Sequence, residues 1–411
     1  LIIFLTMSAK VKWIYLAAFL DLFAVSLIVP SMGAHLKGLG ASYFMIGMMT
    51  SIYALTQLLS GPVIGSWSDK IGRQKLFVTI YLIVGCCYLL IGLVNSYYII
   101  LLLRAAIGVF KHGQVLIRTI VTDQIPIENQ SSLFGHLKSI AGISFTIGPA
   151  IGGHLSELDG GFRYVACCTG FLLFLNSVIG YLYLDDVTKN DASEQRKKNE
   201  HRSKSLRQEI TEAIRSLADV NWRLFGQVFA LKFVLDMSAG LYHSNYNLKI
   251  QERFNITPKI SGYTIAFQSF VGVITGLFVA KINDKLYNSD ADYKKRNMHG
   301  YILMVVGYLG IYFASSLRVF LLWTVVLKTS HMFLRIILTD MLMRKCPPSQ
   351  TGSVAGTSNS VSNLARLVTP VVAGIFEDTW GTNSANFLAA LVASIGIFIA
   401  LGISRSHPKS Q

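Results

Sequence analysis

Charge is scarce in this chain of 411 residues. Only 14% of them are Asp, Glu, Lys or Arg, where a soluble domain carries roughly a quarter. That shortage excludes an ordinary water-facing surface. Cysteine is scarce too, with five in all. Cys86 and Cys87 share one apolar run, Cys167 and Cys168 another, and Cys346 sits in a polar segment. Neither a disulfide framework nor a zinc site fits that placement. The chain also lacks a glycine-rich phosphate loop with its lysine, metal-ligand spacing and any nucleophile motif. An enzyme is therefore not expected, and no cofactor or metal is expected either.

What the chain has is apolar residues, 52% of the total, gathered in runs near the length that spans a hydrocarbon core. Twelve spans are predicted: 13–30, 43–64, 76–94, 97–120, 132–153, 164–183, 222–246, 260–281, 299–315, 318–339, 354–376 and 385–403. The net charge of +15 is distributed by topology. Basic residues crowd alternate connections, at Lys70, Arg73 and Lys75, between Lys189 and Arg215, and at Lys294, Lys295 and Arg296. The positive-inside rule then places both termini in the cytosol. Nucleic-acid binding is not needed to explain the basicity.

The sequence repeats itself. Asp21 and Asp69 recur as Asp236 and Asp284, 215 positions on, and Lys111, Arg118 and Asp123 recur as Lys328, Arg335 and Asp340, 217 on. Gly135, Pro149 and Gly153 recur as Gly356, Pro370 and Gly374, 221 on. An offset that only grows is what small loop insertions produce. The expected fold is an all-α membrane protein of two six-helix bundles in parallel repeat. The bundles are assigned to 1–184 and 222–411, joined by a cytosolic linker at 185–221. Leu206, Ile210, Ile214 and Leu217 fall on one helical face of that linker.

Ordered motifs follow the spans. Gly65 to Lys75 reads GSWSDKIGRQK, and Leu20 to Pro30 carries a Leu-Asp followed nine positions later by Pro. Arg104 precedes Gly108 by four, and Gly148-Pro149 precedes Gly152-Gly153. This set resembles the major facilitator superfamily, in particular its drug/proton antiporter-like branch, across essentially the whole chain. The resemblance implies a transporter working by alternating access. It also implies a proton-transfer role for the Arg104 motif and antiport for the Gly148-Pro149, Gly152-Gly153 motif. The second repeat departs from the pattern: Asp284-Lys285 lacks the following Gly-Arg, so switching contacts are expected to be stronger in the first half.

Read as chemistry, Gly65 permits close backbone approach, and Arg73 can reach Asp123 through a charge-assisted bond. Together with Asp69, and with Asp284 and Asp340 in the second half, these residues make either a conformational latch or a set of topology signals. Asp21 and Asp236 lie mid-span, where a bare carboxylate is costly. Each pairs with a cation, takes up a proton, or contacts a cationic solute; Lys232, one turn before Asp236, is a ready partner. Arg104, Lys111 and Arg118 recur at intervals of seven, which makes one stripe on a continuous helix. Arg118 and Arg335 read more simply as snorkelling end residues.

His112 and Gln114 flank the stripe, and Lys328, His331 and Arg366 face it from the other half. His112 and His331 either tune proton coupling or are hydrogen-bonded packing residues. Proton coupling is assigned to Asp21, Asp236, Arg104 and His112. Substrate binding is assigned to Arg104, Lys111, Gln114, Lys328, His331 and Arg366. Gly148, Pro149, Gly152 and Gly153, with Pro370 and Gly374 opposite, supply a hinge or a tight seal.

The predicted function is a proton-coupled antiporter of an organic anion or zwitterion. It is monomeric, embedded in lipid as a multi-pass protein, and resident in the plasma membrane or an organelle membrane. The alternatives are an uncoupled facilitator and a non-transporting receptor or scaffold of the same fold.

Overall fold

In hydrocarbon no water satisfies a backbone amide, so a spanning segment must pair its own N–H and C=O groups, and a helix does this locally. The computed structural model describes residues 9–125, 127–184, 222–287, 290, 292–347 and 351–403. The linker expected at 185–221 lies outside the described residues. The described elements are helices, with no strand among them.

The first seven are α1 (Ala9–Gly38), α2 (Tyr43–Ile71), α3 (Arg73–Leu93), α4 (Tyr97–Phe110), α5 (Gly113–Gln124), α6 (Ile127–Leu155) and α7 (Gly161–Tyr183). The second seven are α8 (Trp222–His243), α9 (Tyr246–Phe254), α10 (Pro258–Leu286), α11 (Lys294–Phe313), α12 (Leu317–Lys345), α13 (Thr351–Trp380) and α14 (Ser384–Leu401). Among the described residues nine stretches are long and apolar enough to cross a membrane, with α4 and α5 counting as one. Helices α6, α11 and α13 are of spanning length but more polar. Together these coincide with the twelve spans read from the sequence.

One expectation is corrected. The fourth span is not a continuous helix: α4 stops at Phe110 and α5 starts at Gly113. Lys111 turns away with ψ 67, and its carbonyl accepts from Gln57 Nε2 at 2.7 Å instead of from a helical amide. Gly113 is required there, because a Cβ would collide with the Tyr81 hydroxyl. The even stripe of Arg104, Lys111 and Arg118 assumed unbroken winding and does not survive the break.

The chain forms two compact units. The first comprises Leu1–Ala41, Ile52–Glu212 and Ile256–Ala266, and the second Ser42–Ser51, Ala213–Asn255 and Phe267–Gln411. In the first unit α1 packs against α5, α6 and α7, and α3 against α4 and α7. In the second α8 packs against α12, α13 and α14, and α11 against α12 and α14. This is the same pairing scheme, as the sequence repeat implies. Large apolar side chains such as Leu102, Phe171, Leu277 and Phe398 are exposed, the surface that lipid covers.

Small residues set the closest crossings. A Cβ at Gly148 would meet Ser26 of α1, and one at Gly152 the Leu27 carbonyl. In the same unit a Cβ at Gly153 would come within 2.7 Å of Lys259 Cα, and one at Gly262 would strike the Pro149 carbonyl. The second unit repeats the arrangement. A Cβ at Gly374 would lie 2.6 Å from Phe44 Cα, and one at Gly47 would strike the Pro370 carbonyl. Pro149 and Pro370 sit inside uninterrupted helices. Gly65 does not act this way: a Cβ there meets nothing within 4 Å among the described residues. In the same loop Gly72 adopts φ 104, a left-handed backbone that only glycine adopts without strain. That turn separates α2 from α3.

Candidate functional site

The break in the fourth span places a cation where helix ladders cannot satisfy it. Lys111 forms an ion pair with Asp21 of α1, whose second oxygen accepts from Gln114 Nε2 at 2.8 Å. Asp21 is 1% exposed, and the ammonium lies 5.3 Å from the Tyr81 ring centroid. Two opposite charges sharing a buried site are each tolerated because of the other. Of the alternatives open for Asp21, the structure holds it paired with a cation.

Neighbouring groups complete this site. Gln57 Nε2 donates to the Lys111 carbonyl and to the Tyr53 hydroxyl, at 2.7 and 3.2 Å. Arg104 donates to the Tyr88 hydroxyl at 3.3 Å and lies over the Tyr53 ring at 5.2 Å. Gly108 lets α4 press against Tyr53 and Thr56 of α2. His112 is buried and shares a 2.9 Å hydrogen bond with Ser60.

The second unit treats the repeated residues differently. Asp236 lies 3.7 Å from Lys232 on its own helix and accepts from Ser362 at 2.6 Å. Lys328 faces Nε2 of His243 at 2.8 Å and lies 5.8 Å from the Tyr242 ring centroid. His331 stands one turn beyond Lys328 on α12, and its Nε2 is buried without a partner among the described residues. Arg366 is exposed on α13, one turn from Ser362.

The loop residues divide in the same manner. Arg73 bridges Asp69 at 2.6 Å and Asp123 at 3.1 Å, and also bonds Ser68. The expected Arg73–Asp123 contact is therefore present. In the second half Asp284 is exposed and takes no ion pair among the described residues, because no arginine follows it. Asp340 instead pairs with Arg344 at 3.1 Å and accepts from the Tyr293 hydroxyl. Asp284 and Asp340 thus share no ion-pair partner among the described residues.

Sequence reasoning missed one network. In the second unit Asp378 accepts from the backbone N–H of Tyr43 and of Phe44, at 3.0 and 2.8 Å. The Tyr43 hydroxyl donates to Glu252. Beside it, Glu377 and Lys249 form an ion pair at 3.1 Å, with side chains 0% and 5% exposed, and Asn245 donates to Glu377 at 2.7 Å. The available signal was that Glu377 and Asp378 follow the eleventh span with no basic neighbour to balance them.

Known proteins share this chain's sequence pattern and fold. It is 24% identical over 406 residues to the quinolone resistance protein NorA of Staphylococcus aureus, covering 98% of each chain. A bacterial homolog of the human lysosomal transporter Spinster superposes with a TM-score of 0.77 at 14% identity, covering 96% of each chain. The human organic anion transporter MFSD10 superposes with a TM-score of 0.65 at 18% identity, covering 96% of this chain and 100% of that one. The superfamily's sequence profile matches residues 14–370, and so this multi-pass membrane protein belongs to the Major Facilitator Superfamily.

Proposed function

We propose that the protein is a secondary transporter that exchanges protons for a small organic anion or zwitterion by alternating access. The observation that carries the reading is the buried pair of Asp21 and Lys111 at the broken fourth span, with Gln114 on the second carboxylate oxygen. A proton taken up by Asp21 removes its charge and frees the Lys111 ammonium; release of the proton restores the pair. Each protonation state favours a different packing of α1 against α5, which is what coupling to a conformational equilibrium requires.

Arg104, held by Tyr88 and Tyr53, adds a second positive charge to the same unit. In the second unit Lys328 and Arg366, with His331 beside Lys328, supply the positive charge that selects a negative group on the solute. The quinolone resistance protein NorA and the organic anion transporter MFSD10 support an organic solute. The basic loops place both termini on the cytosolic side, so the Arg73–Asp69–Asp123 cluster there serves as the switch contact. The working form is a monomer in lipid.

Purified protein reconstituted in liposomes tests this, with internal pH followed as organic anions and then organic cations are added. Organic anions are expected to shift internal pH, and Asp21→Asn to abolish the shift. Anion flux without any pH change would identify an uncoupled facilitator, and no flux at all would overturn the transport reading.

A further inference from the structure

We propose that the second unit carries an anion subsite of its own, formed by Lys328, His331 and His243, which takes the carboxylate of the organic solute. The proposal rests on the transport reading above and divides its labour: the first unit's acid–base pair handles the proton, and the second unit's basic cluster handles the solute's charge.

The argument comes from a broken equivalence. Lys328 occupies the place in the second repeat that Lys111 holds in the first. Lys111 is neutralised by Asp21. Asp236, the counterpart of Asp21, is held by Lys232 and Ser362 instead. Lys328 is left with no carboxylate within ion-pair distance among the described residues, and its ammonium donates to Nε2 of His243. An ammonium within a membrane span without a counter-charge is costly unless a negative group comes to it.

His331 points the same way. It follows Lys328 by three positions and shares its helix face. Its Nε2 is buried and has no partner among the described residues, a condition that native structures rarely leave unfilled. Arg335, on that face one turn further, acts electrostatically on both Lys328 and His331. Lys249 also acts on His243 but is itself paired with Glu377. Among the groups just named the one carboxylate, Glu377, is already taken by Lys249. A carboxylate has two oxygens, one for the ammonium of Lys328 and one for an imidazole N–H of His331. The Tyr242 ring beside Lys328 offers an apolar face to the organic remainder.

The test is equilibrium binding of fluorescein, a dianionic probe, to the purified full-length chain in detergent, followed by fluorescence anisotropy with benzoate as competitor. Saturable binding displaced by benzoate is expected. Lys328→Ala and His331→Gln should each weaken it by about tenfold or more, the order of a lost charge-assisted hydrogen bond. Lys328→Arg should stay within about threefold, and the exposed control Lys138→Ala should bind as wild type. Elution as a single sharp peak certifies the fold, and His331→Gln keeps the test open if Lys328→Ala fails to fold.

Wild-type protein that binds neither carboxylate overturns the proposal. So does wild-type-like binding in folded Lys328→Ala or His331→Gln, or a preference for the cation ethidium. Proton-linked flux with binding indifferent to these residues defeats the subsite alone. Binding that depends on Lys328 without any proton-linked flux defeats the transport reading alone.

Discussion

Asp378 accepts hydrogen bonds from the backbone N–H groups of Tyr43 and Phe44, so a carboxylate near the end of α13 caps the first turn of α2. The first N–H groups of a helix have no partner within it, and a negative charge there also meets the positive end of the helix dipole. Asp378→Ala should lower stability by about 1 kcal/mol, the usual cost of a lost cap. Thermal unfolding in detergent measures it, and Asp378→Asn should recover part of the loss. An unchanged midpoint for the alanine variant would show that the cap contributes nothing.

The Asp21–Lys111 pair makes a sharper prediction. Asp21→Asn alone and Lys111→Met alone should each destabilise the protein by about 3–5 kcal/mol, because each leaves one buried group uncompensated. The double variant should recover most of that stability, since no lone charge remains, yet stay without proton-linked transport. Additive losses in the double-mutant cycle would show that the two residues do not act as a unit.

Packing at the glycines separates two positions on one helix. A Cβ at Gly152 would strike the Leu27 carbonyl, whereas one at Gly135 meets nothing within 4 Å among the described residues. Gly152→Ala should cost about 1–3 kcal/mol through overpacking, and Gly135→Ala should be close to neutral. Melting of the two purified variants side by side decides it. Equal midpoints would mean that α6 and α1 do not depend on that crossing.

Alkaline stability tests the Tyr293 contact. Burial, and then its hydrogen bond to Asp340, pushes the phenol from its usual value up to about 12. The folded state therefore favours the neutral phenol. Its contribution is fully present below about pH 10, the unfolded value, and is lost as pH rises through about 12. Wild type should weaken over that window more steeply than Tyr293→Phe. Identical pH profiles for the two would contradict the assignment.

Much of this was legible in the sequence because membranes impose simple rules. Spans announce themselves by length, and the growing offset between Asp21 and Asp236, Lys111 and Lys328, and Pro149 and Pro370 exposes the repeat. Contacts fixed by helix spacing, such as Lys232 with Asp236, could be read directly. So could the Arg73–Asp123 contact, which joins two adjoining helix ends. The break at Lys111 could not be read, since a stripe at intervals of seven looks the same whether or not the winding continues. The partner chosen by Asp21 was also hidden, because three cations on the fourth span were equally available. The cluster of Tyr43, Asn245, Lys249, Glu377 and Asp378 joins segments far apart in sequence, and each of its charges taken alone reads as an ordinary helix end.

The interruption between Phe110 and Gly113 has a mechanical corollary. A continuous rod can bend only by stretching several rungs of its ladder at once. Here the side-chain ties of Lys111 are Gln57 on its carbonyl and the salt link it makes to α1. Lys111 is thus both the partner of Asp21 and the residue at which the helix is interrupted. On the coupling proposed above, a proton on Asp21 would undo that salt link at the interruption itself, with no further relay between the chemical event and the helix joint.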